Sequence, residues 1–182
     1  MAKQKKRIII TGAHGTGKTT LMNALAEDGT RTISQVDRKV VEENGWSHSE
    51  NTNTDCQKAI YKAIKKELSS KKNYISDRGL SCVAAYTFNK ALMGDIPKKV
   101  ADKQYLDLEK FHKDNPDILV VYTPIEFPLV TDGVRSTDPQ FQQQIDFLIK
   151  NILVTANIPH ITVTGTVEER KAQVEEELKN RG

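Results

Sequence analysis

Eight residues near the amino terminus, Gly12-Ala13-His14-Gly15-Thr16-Gly17-Lys18-Thr19, constrain this chain more than any other feature. They match the pattern G-x-x-x-x-G-K-S/T in full. Gly12, Gly15 and Gly17 permit backbone angles that a side chain forbids, so the chain can curl with its N–H groups turned inward around an anion. The flanks agree. Arg7–Thr11, with three successive isoleucines, reads as a buried strand, and residues 18–27 read as a helix with Leu21, Ala24 and Leu25 on one side. A helix that starts at the loop adds the positive end of its dipole.

The expected ligand of this segment is a nucleoside triphosphate, Mg-ATP. Lys18 is expected to reach the β- and γ-phosphates and the Thr19 hydroxyl to ligate Mg²⁺. Gly12, Ala13, His14, Gly15, Thr16, Gly17, Lys18, Thr19 and the following Thr20 are the candidate nucleotide-binding residues. His14 fills an unspecified position of the pattern; its side chain is expected to be exposed and is assigned no role.

Apolar runs alternate with amphipathic stretches along the rest of the chain. Strands are expected at Thr30–Gln35, Asn73–Ser76, Ile118–Tyr122 and Pro159–Val163. Helices are expected at residues 36–44, which Gly45 stops, and after Asn51–Asp55, where Ala59, Ile60, Ala63, Ile64 and Leu68 recur at helical spacing. Further helices are expected from Gly79 to Met93, at 98–113, through Phe141, Ile145, Leu148 and Ile152, and after Gly165-Thr166. Residues 124–138, with Pro124, Pro128 and Gly133, read as a loop. Strands separated by helices in this way build an α/β fold with a parallel sheet covered on both faces. With no repeat, low-complexity tract or long linker, 1–182 reads as a single domain.

The composition, 37% hydrophobic and 28% charged residues, is that of a globular protein with a polar surface. No apolar run approaches the roughly 20 residues that span a bilayer, and no partner membrane is expected. Lys3, Lys5, Lys6 and Arg7 lead into the first strand without a signal-peptide pattern, so a cytoplasmic protein is expected. Cys56 and Cys82 are too few for a disulfide framework or a zinc site. The net charge of +3 permits contact with nucleic acid without requiring it.

Two kinds of nucleotide hydrolase are disfavoured by the residues. A ring-forming ATPase needs an apolar strand that ends in Asp-Glu, whereas Tyr74-Ile75-Ser76 ends in Asp77-Arg78. A GTPase needs Asn-Lys-x-Asp, and Asn89-Lys90-Ala91-Leu92 lacks the Asp that binds the base.

The segment Ile75-Ser76-Asp77-Arg78-Gly79-Leu80-Ser81-Cys82-Val83-Ala84-Ala85-Tyr86 resembles the Asp-Arg segment of thymidylate and deoxynucleoside kinases. With Thr131-Asp132-Gly133-Val134-Arg135 and Asp138-Pro139-Gln140-Phe141, the chain resembles the nicotinamide-riboside-kinase-like branch of the small P-loop ATPases. The resemblance implies a P-loop three-layer sandwich of about five parallel strands, with a mobile lid at about 124–138. It implies that Asp77 sits beside the loop and either holds the Mg²⁺ shell through water or takes the proton of an acceptor hydroxyl. Arg78 is implied to contact a phosphate, and Arg135 to stabilise charge on the transferred group.

Similar proteins carry a Glu at the end of the second strand and an Arg three residues on. Here that register holds Gln35 and Arg38, with Asp37 between them. Gln35 cannot act as a base, so either Asp37 or Asp77 takes that role or the acceptor is a phosphate that needs none. Trp46, His48 and Tyr86 are candidates to stack on a planar acceptor.

These readings point to an ATP-dependent kinase acting on a nucleoside, nucleotide or related molecule. One alternative keeps the chemistry and takes as acceptor a hydroxymethylated base, or an end, in DNA. Another is an ATP-binding switch with no acceptor.

Overall fold

The structure, a computed structural model, describes residues 6–46, 53–129 and 138–181. Five strands form one sheet: β1 (Arg7–Thr11), β2 (Thr32–Ile33), β3 (Tyr74–Ser76), β4 (Leu119–Tyr122) and β5 (His160–Thr162). Their order is β2-β3-β1-β4-β5, and every pairing is parallel. The helices are α1 (Lys18–Leu25), α2 (Val36–Glu43), α3 (Thr54–Leu68), α4 (Leu80–Leu92), α5 (Lys98–Lys113), α6 (Pro139–Thr155) and α7 (Val167–Asn180).

Strand alternation divides the core in two. Ile8 and Ile10 of β1, with Ile75, Leu119 and Val121, pack against Leu21, Met22 and Leu25 of α1 and Val174 of α7. Ile9, Tyr74, Val120 and Tyr122 point to the other face, where α3, α4, α5 and α6 cover them. The three-layer sandwich expected from the alternating pattern is the fold observed. The central strands β1 and β4 are buried on both faces, so they read as nearly continuous apolar runs.

The order of strands reverses beside β1, with β3 on one side and β4 on the other. Ligands of such sheets bind at the carboxyl ends of the strands at this reversal. The loop after β1 therefore lies where a parallel sheet concentrates a binding site.

Helix starts are specified locally. Asn53 caps α3 by accepting a hydrogen bond from the Asp55 N–H at 2.8 Å. Asp138 does the same for Gln140 at 2.9 Å, with Pro139 in the first turn of α6. Thr166 and Glu169 form a capping box at α7. No side chain caps α2, α4 or α5, nor α1, where left-handed Gly17 precedes Lys18.

Boundaries moved where a strand has little to pair with. The second strand covers only Thr32–Ile33 of the expected Thr30–Gln35, because it is an edge strand held by β3 alone. Gln35 leaves the strand in the left-handed region, at φ 55°.

Candidate functional site: a phosphate-binding loop and the cleft beside it

The loop from Gly12 to Gly17 folds as its glycines allow. Gly15 and Gly17 are left-handed, at φ 75° and 83°. Gly12 is required by space: a Cβ there would stand 2.5 Å from the Thr123 carbonyl oxygen. Thr16 closes the loop from within, its Oγ1 donating to the Ala13 carbonyl at 2.9 Å and sharing a bond with the Thr123 hydroxyl at 2.9 Å.

Lys18 folds back over the loop. Its Nζ donates to the Ala13 carbonyl at 2.5 Å, and the residue is 8% exposed. Thr19 and Thr20 are exposed on the first turn of α1.

The Thr19 hydroxyl donates to Asp77 Oδ2 at 2.8 Å. Asp77 stands at the end of β3, next to β1, so the parallel pairing brings a residue 58 positions away to the loop. These two oxygens, one on the first turn of α1 and one at the end of β3, are hard donors. They fit Mg²⁺, which takes one or two protein oxygens and leaves its other positions to water and phosphate. Among the described residues no group of three or more His, Cys, Asp and Glu gathers as an all-protein metal cage.

Arg78 points from β3 toward α2, where NH1 donates to Asp37 Oδ2 at 2.8 Å; the two side chains are 22% and 24% exposed. Burial is the largest single influence and pulls the guanidinium pKa down, but the surrounding groups together, Asp37 first among them and then Tyr86, Cys82 and Asp77, turn the net shift upward. Arg78 is therefore a fixed cation at the edge of the cleft. Gly79 next in the chain has a packing reason, since a Cβ there would meet Ile9 Cγ2 at 2.6 Å.

Lys18, Thr19, Gln35, Asp37, Arg38, Asp77 and Arg78 line one cleft. It measures about 390 Å³ counted to its open mouth. Three loops, those after β1, β2 and β3, thus place five of the expected site residues and their neighbours around a single space. Gln35 lines this cleft as a neutral amide.

Other expectations are corrected or fall elsewhere. His14 is not exposed but buried, at 4%. Its Nδ1 lies 3.1 Å from the Tyr86 hydroxyl, and its ring lies 5.7 Å from that of Phe141. Tyr86 also packs on Phe141, so its ring turns to α6 and is not part of the cleft lining. Trp46 is partly buried against the larger core cluster. Arg135 and His48 lie outside the described residues, as do 130–137 of the expected lid. On either side of that stretch, Leu129 and Gln142 both press on Gly15: a Cβ there would lie 2.8 Å from Leu129 Cδ2 and 3.2 Å from Gln142 Nε2.

Two residues at the loop had no reading in the sequence. Gln142 of α6 donates from Nε2 to the His14 carbonyl at 2.7 Å. Arg170 of α7 donates from NH1 to the Thr16 carbonyl at 2.7 Å and pairs through NH2 with Glu126. Both look like surface residues, Gln142 in a glutamine run and Arg170 in a charged helix. Spacing was the available signal: Gln142 shares the inward stripe of Ile145 and Ile149, and Arg170 that of Val174.

The fold and the loop define this chain as a P-loop protein with the architecture of the P-loop kinases. A family model described as an AAA domain matches residues 7–170, and the chain belongs to that family. No curated protein sequence matches it. Among solved structures it is similar to a deoxyadenosine kinase from M. mycoides with the products dCMP and dCDP bound, at 15% identity and a TM-score of 0.68; the match covers 97% of this chain and 100% of that one. It is similar to a NadR protein in complex with NR, at 17% identity and a TM-score of 0.68, over 95% of this chain. The chain spans about half the length of that protein, 50%. It is also similar to shikimate kinase from Aquifex aeolicus, at 16% identity and a TM-score of 0.60, over 96% of this chain and 97% of that one. What these likenesses establish is the shared fold.

Proposed function

We propose that this protein is an ATP-dependent kinase that transfers the γ-phosphoryl group to a nucleoside, nucleotide or related small molecule. The observation that carries this reading is the single cleft in which Lys18 and Thr19 of the loop face Asp37, Asp77 and Arg78. Donor phosphates on the loop and an acceptor in the cleft would meet in line, and catalysis would come from position and charge. The structural neighbours fit this reading, since they include kinases of a deoxynucleoside and of shikimate.

Each residue has a part in it. The uncapped amides of α1 and the loop hold the donor phosphates. Lys18 leaves the Ala13 carbonyl for the β- and γ-phosphates. Thr19 and Asp77 would hold Mg²⁺, which supplies neutralisation of phosphate charge when bound. Arg78, oriented by Asp37, contributes positive charge toward a phosphate of donor or acceptor. Arg135, in the segment between the two anchors on Gly15, is assigned the transferred phosphoryl group. No helix among the described residues is long and apolar enough to cross a membrane.

The test is transfer of label from γ-labelled Mg-ATP to a panel of nucleosides, nucleoside monophosphates, nicotinamide riboside, shikimate, and DNA with and without hydroxymethylated bases. Label in one small molecule supports the reading and names the acceptor class. Label in hydroxymethylated DNA alone moves the acceptor to a polymer. Binding of Mg-ATP with no acceptor-dependent turnover contradicts the kinase reading and favours a nucleotide-dependent switch.

A further inference from the structure

The loop's carbonyls show what aims its amides. The Thr11 carbonyl accepts from the Thr123 N–H at 2.9 Å, and the Gly17 carbonyl from the Leu21 N–H at 3.0 Å, so the strand and helix hold the two ends. Between them, side chains from distant helices take three carbonyls: the Cys82 thiol of α4 donates to that of Gly12 at 3.7 Å, and the other two are held more closely. Gln142 of α6 takes that of His14, and Arg170 of α7 takes that of Thr16, each at 2.7 Å.

A trans peptide is planar, and its C=O and N–H point in opposite directions. Drawing the His14 oxygen toward α6 turns the Gly15 N–H the other way, and drawing the Thr16 oxygen toward α7 does the same for the Gly17 N–H. Neither Gln142 nor Arg170 is among the residues that line the cleft. Both side chains stand behind the loop, at 3% and 2% exposure.

Both are themselves fixed. Arg170 is paired with Glu126, and its guanidinium lies 5.1 Å from the centre of the Phe127 ring. Glu126 is oriented in turn by the Gly165 N–H at 3.1 Å. Gln142 sits in the first turn of α6, three residues before the fully buried Ile145. The glycines bear the same mark, because a Cβ at Gly15 would meet Gln142 Nε2 at 3.2 Å and one at Gly17 would meet Arg170 NH1 at 3.4 Å.

We infer that Gln142 and Arg170 are positioning residues that preset the Gly15 and Gly17 amides for the donor phosphates. They act through the loop backbone and touch no phosphate. A loop of three glycines is otherwise free to rotate these peptides, and a preorganised set of donors costs nothing to reorient when the anion arrives. The inference rests on the reading of loop 12–19 as the triphosphate site, but not on the identity of the acceptor.

The test pairs each side chain with one amide. Mg-ATP affinity is measured by calorimetry for the wild-type chain, for Gln142→Met, and for Arg170→Met combined with Glu126→Gln so that no carboxylate is left without its partner. Amide proton shifts of Gly15 and Gly17 are followed by NMR with and without Mg-ATP, and thermal melting checks the fold. Each variant is expected to bind Mg-ATP about tenfold more weakly, the size of one lost oriented hydrogen bond. The nucleotide-induced shift of Gly15 should collapse in Gln142→Met while that of Gly17 persists, and the reverse should hold in the Arg170 variant. Should the Arg170 variant fail to fold, Gln142→Met alone decides. Wild-type affinity with both shifts retained overturns the inference, as does an equal loss of both shifts in Gln142→Met, which would mark a general loosening. A wild-type chain that binds no Mg-ATP overturns the underlying site instead.

Discussion

Arg78 donates to Asp37 at 2.8 Å, tying the end of β3 to the start of α2 across the floor of the cleft. The bond gives a partly buried cation a fixed direction. Asp37→Asn removes the charge and keeps the shape. Turnover is expected to fall about tenfold or more as Arg78 loses its orientation, and stability by about 1 kcal/mol, because the pair is partly solvated. Steady-state kinetics and urea denaturation of the same variant measure the two effects separately.

The Thr19–Asp77 contact makes a sharper claim. Asp77→Asn keeps a hydrogen-bond acceptor for Thr19 and removes the negative charge. The expected result is a loss of about 10²-fold in kcat, of the order seen when one preorganised electrostatic group is removed. Excess Mg²⁺ should recover part of it if the loss lies in metal affinity. A magnesium titration of kcat at saturating ATP reads this out.

Two glycine substitutions differ in the space around the added Cβ. Gly12→Ala would combine a strained φ of +154° with a Cβ 2.5 Å from a backbone oxygen that cannot yield, and is expected to cost about 3 kcal/mol. Gly29 has φ +81° but nothing within 4 Å of the added Cβ. Gly29→Ala should cost only the left-handed strain, about 1 kcal/mol. Urea midpoints of the two variants should differ accordingly, and equal midpoints would contradict the close approach of Thr123 to the loop.

His112 provides a pH signature. Burial lowers its pKa from 6.5 to about 4. The unfolded chain therefore takes up a proton between these values that the folded chain refuses, and stability is lost as pH falls from about 6.5 toward 4. Above 6.5 the histidine contributes no slope. Replacing it by Phe should flatten the fall in urea midpoint between pH 6.5 and 4.5 relative to the wild-type chain.

How much of this was legible depended on the range of the determining contacts. β1 and β4 announce themselves because both faces of a central parallel strand are buried, and Ile8–Ile10 and Leu119–Val121 leave no polar alternative. The loop is legible because only glycine reaches φ 75° and 83° without strain. Asp77 and Arg78 are legible because they sit where a short strand ends. His14 was misread as exposed because Phe141 and Tyr86, which cover it, lie on helices far along the chain. Gln142 and Arg170 bond to carbonyls 128 and 154 residues away; helical spacing puts each on an inward stripe, but nothing local names the carbonyl it meets. The strained Gln35 has no local cause in its sequence, since its left-handed angle comes from joining the short edge strand to α2.

The central claim is that Lys18 and the loop present a γ-phosphate to an acceptor in the adjoining cleft. The most direct measurement is the transfer of label from γ-labelled Mg-ATP to the acceptor that the panel identifies, for the wild-type chain and for Lys18→Ala. The account predicts acceptor-dependent transfer by the wild-type chain and its loss in Lys18→Ala, with the melting temperature little changed. Transfer by Lys18→Ala at the wild-type rate would contradict it.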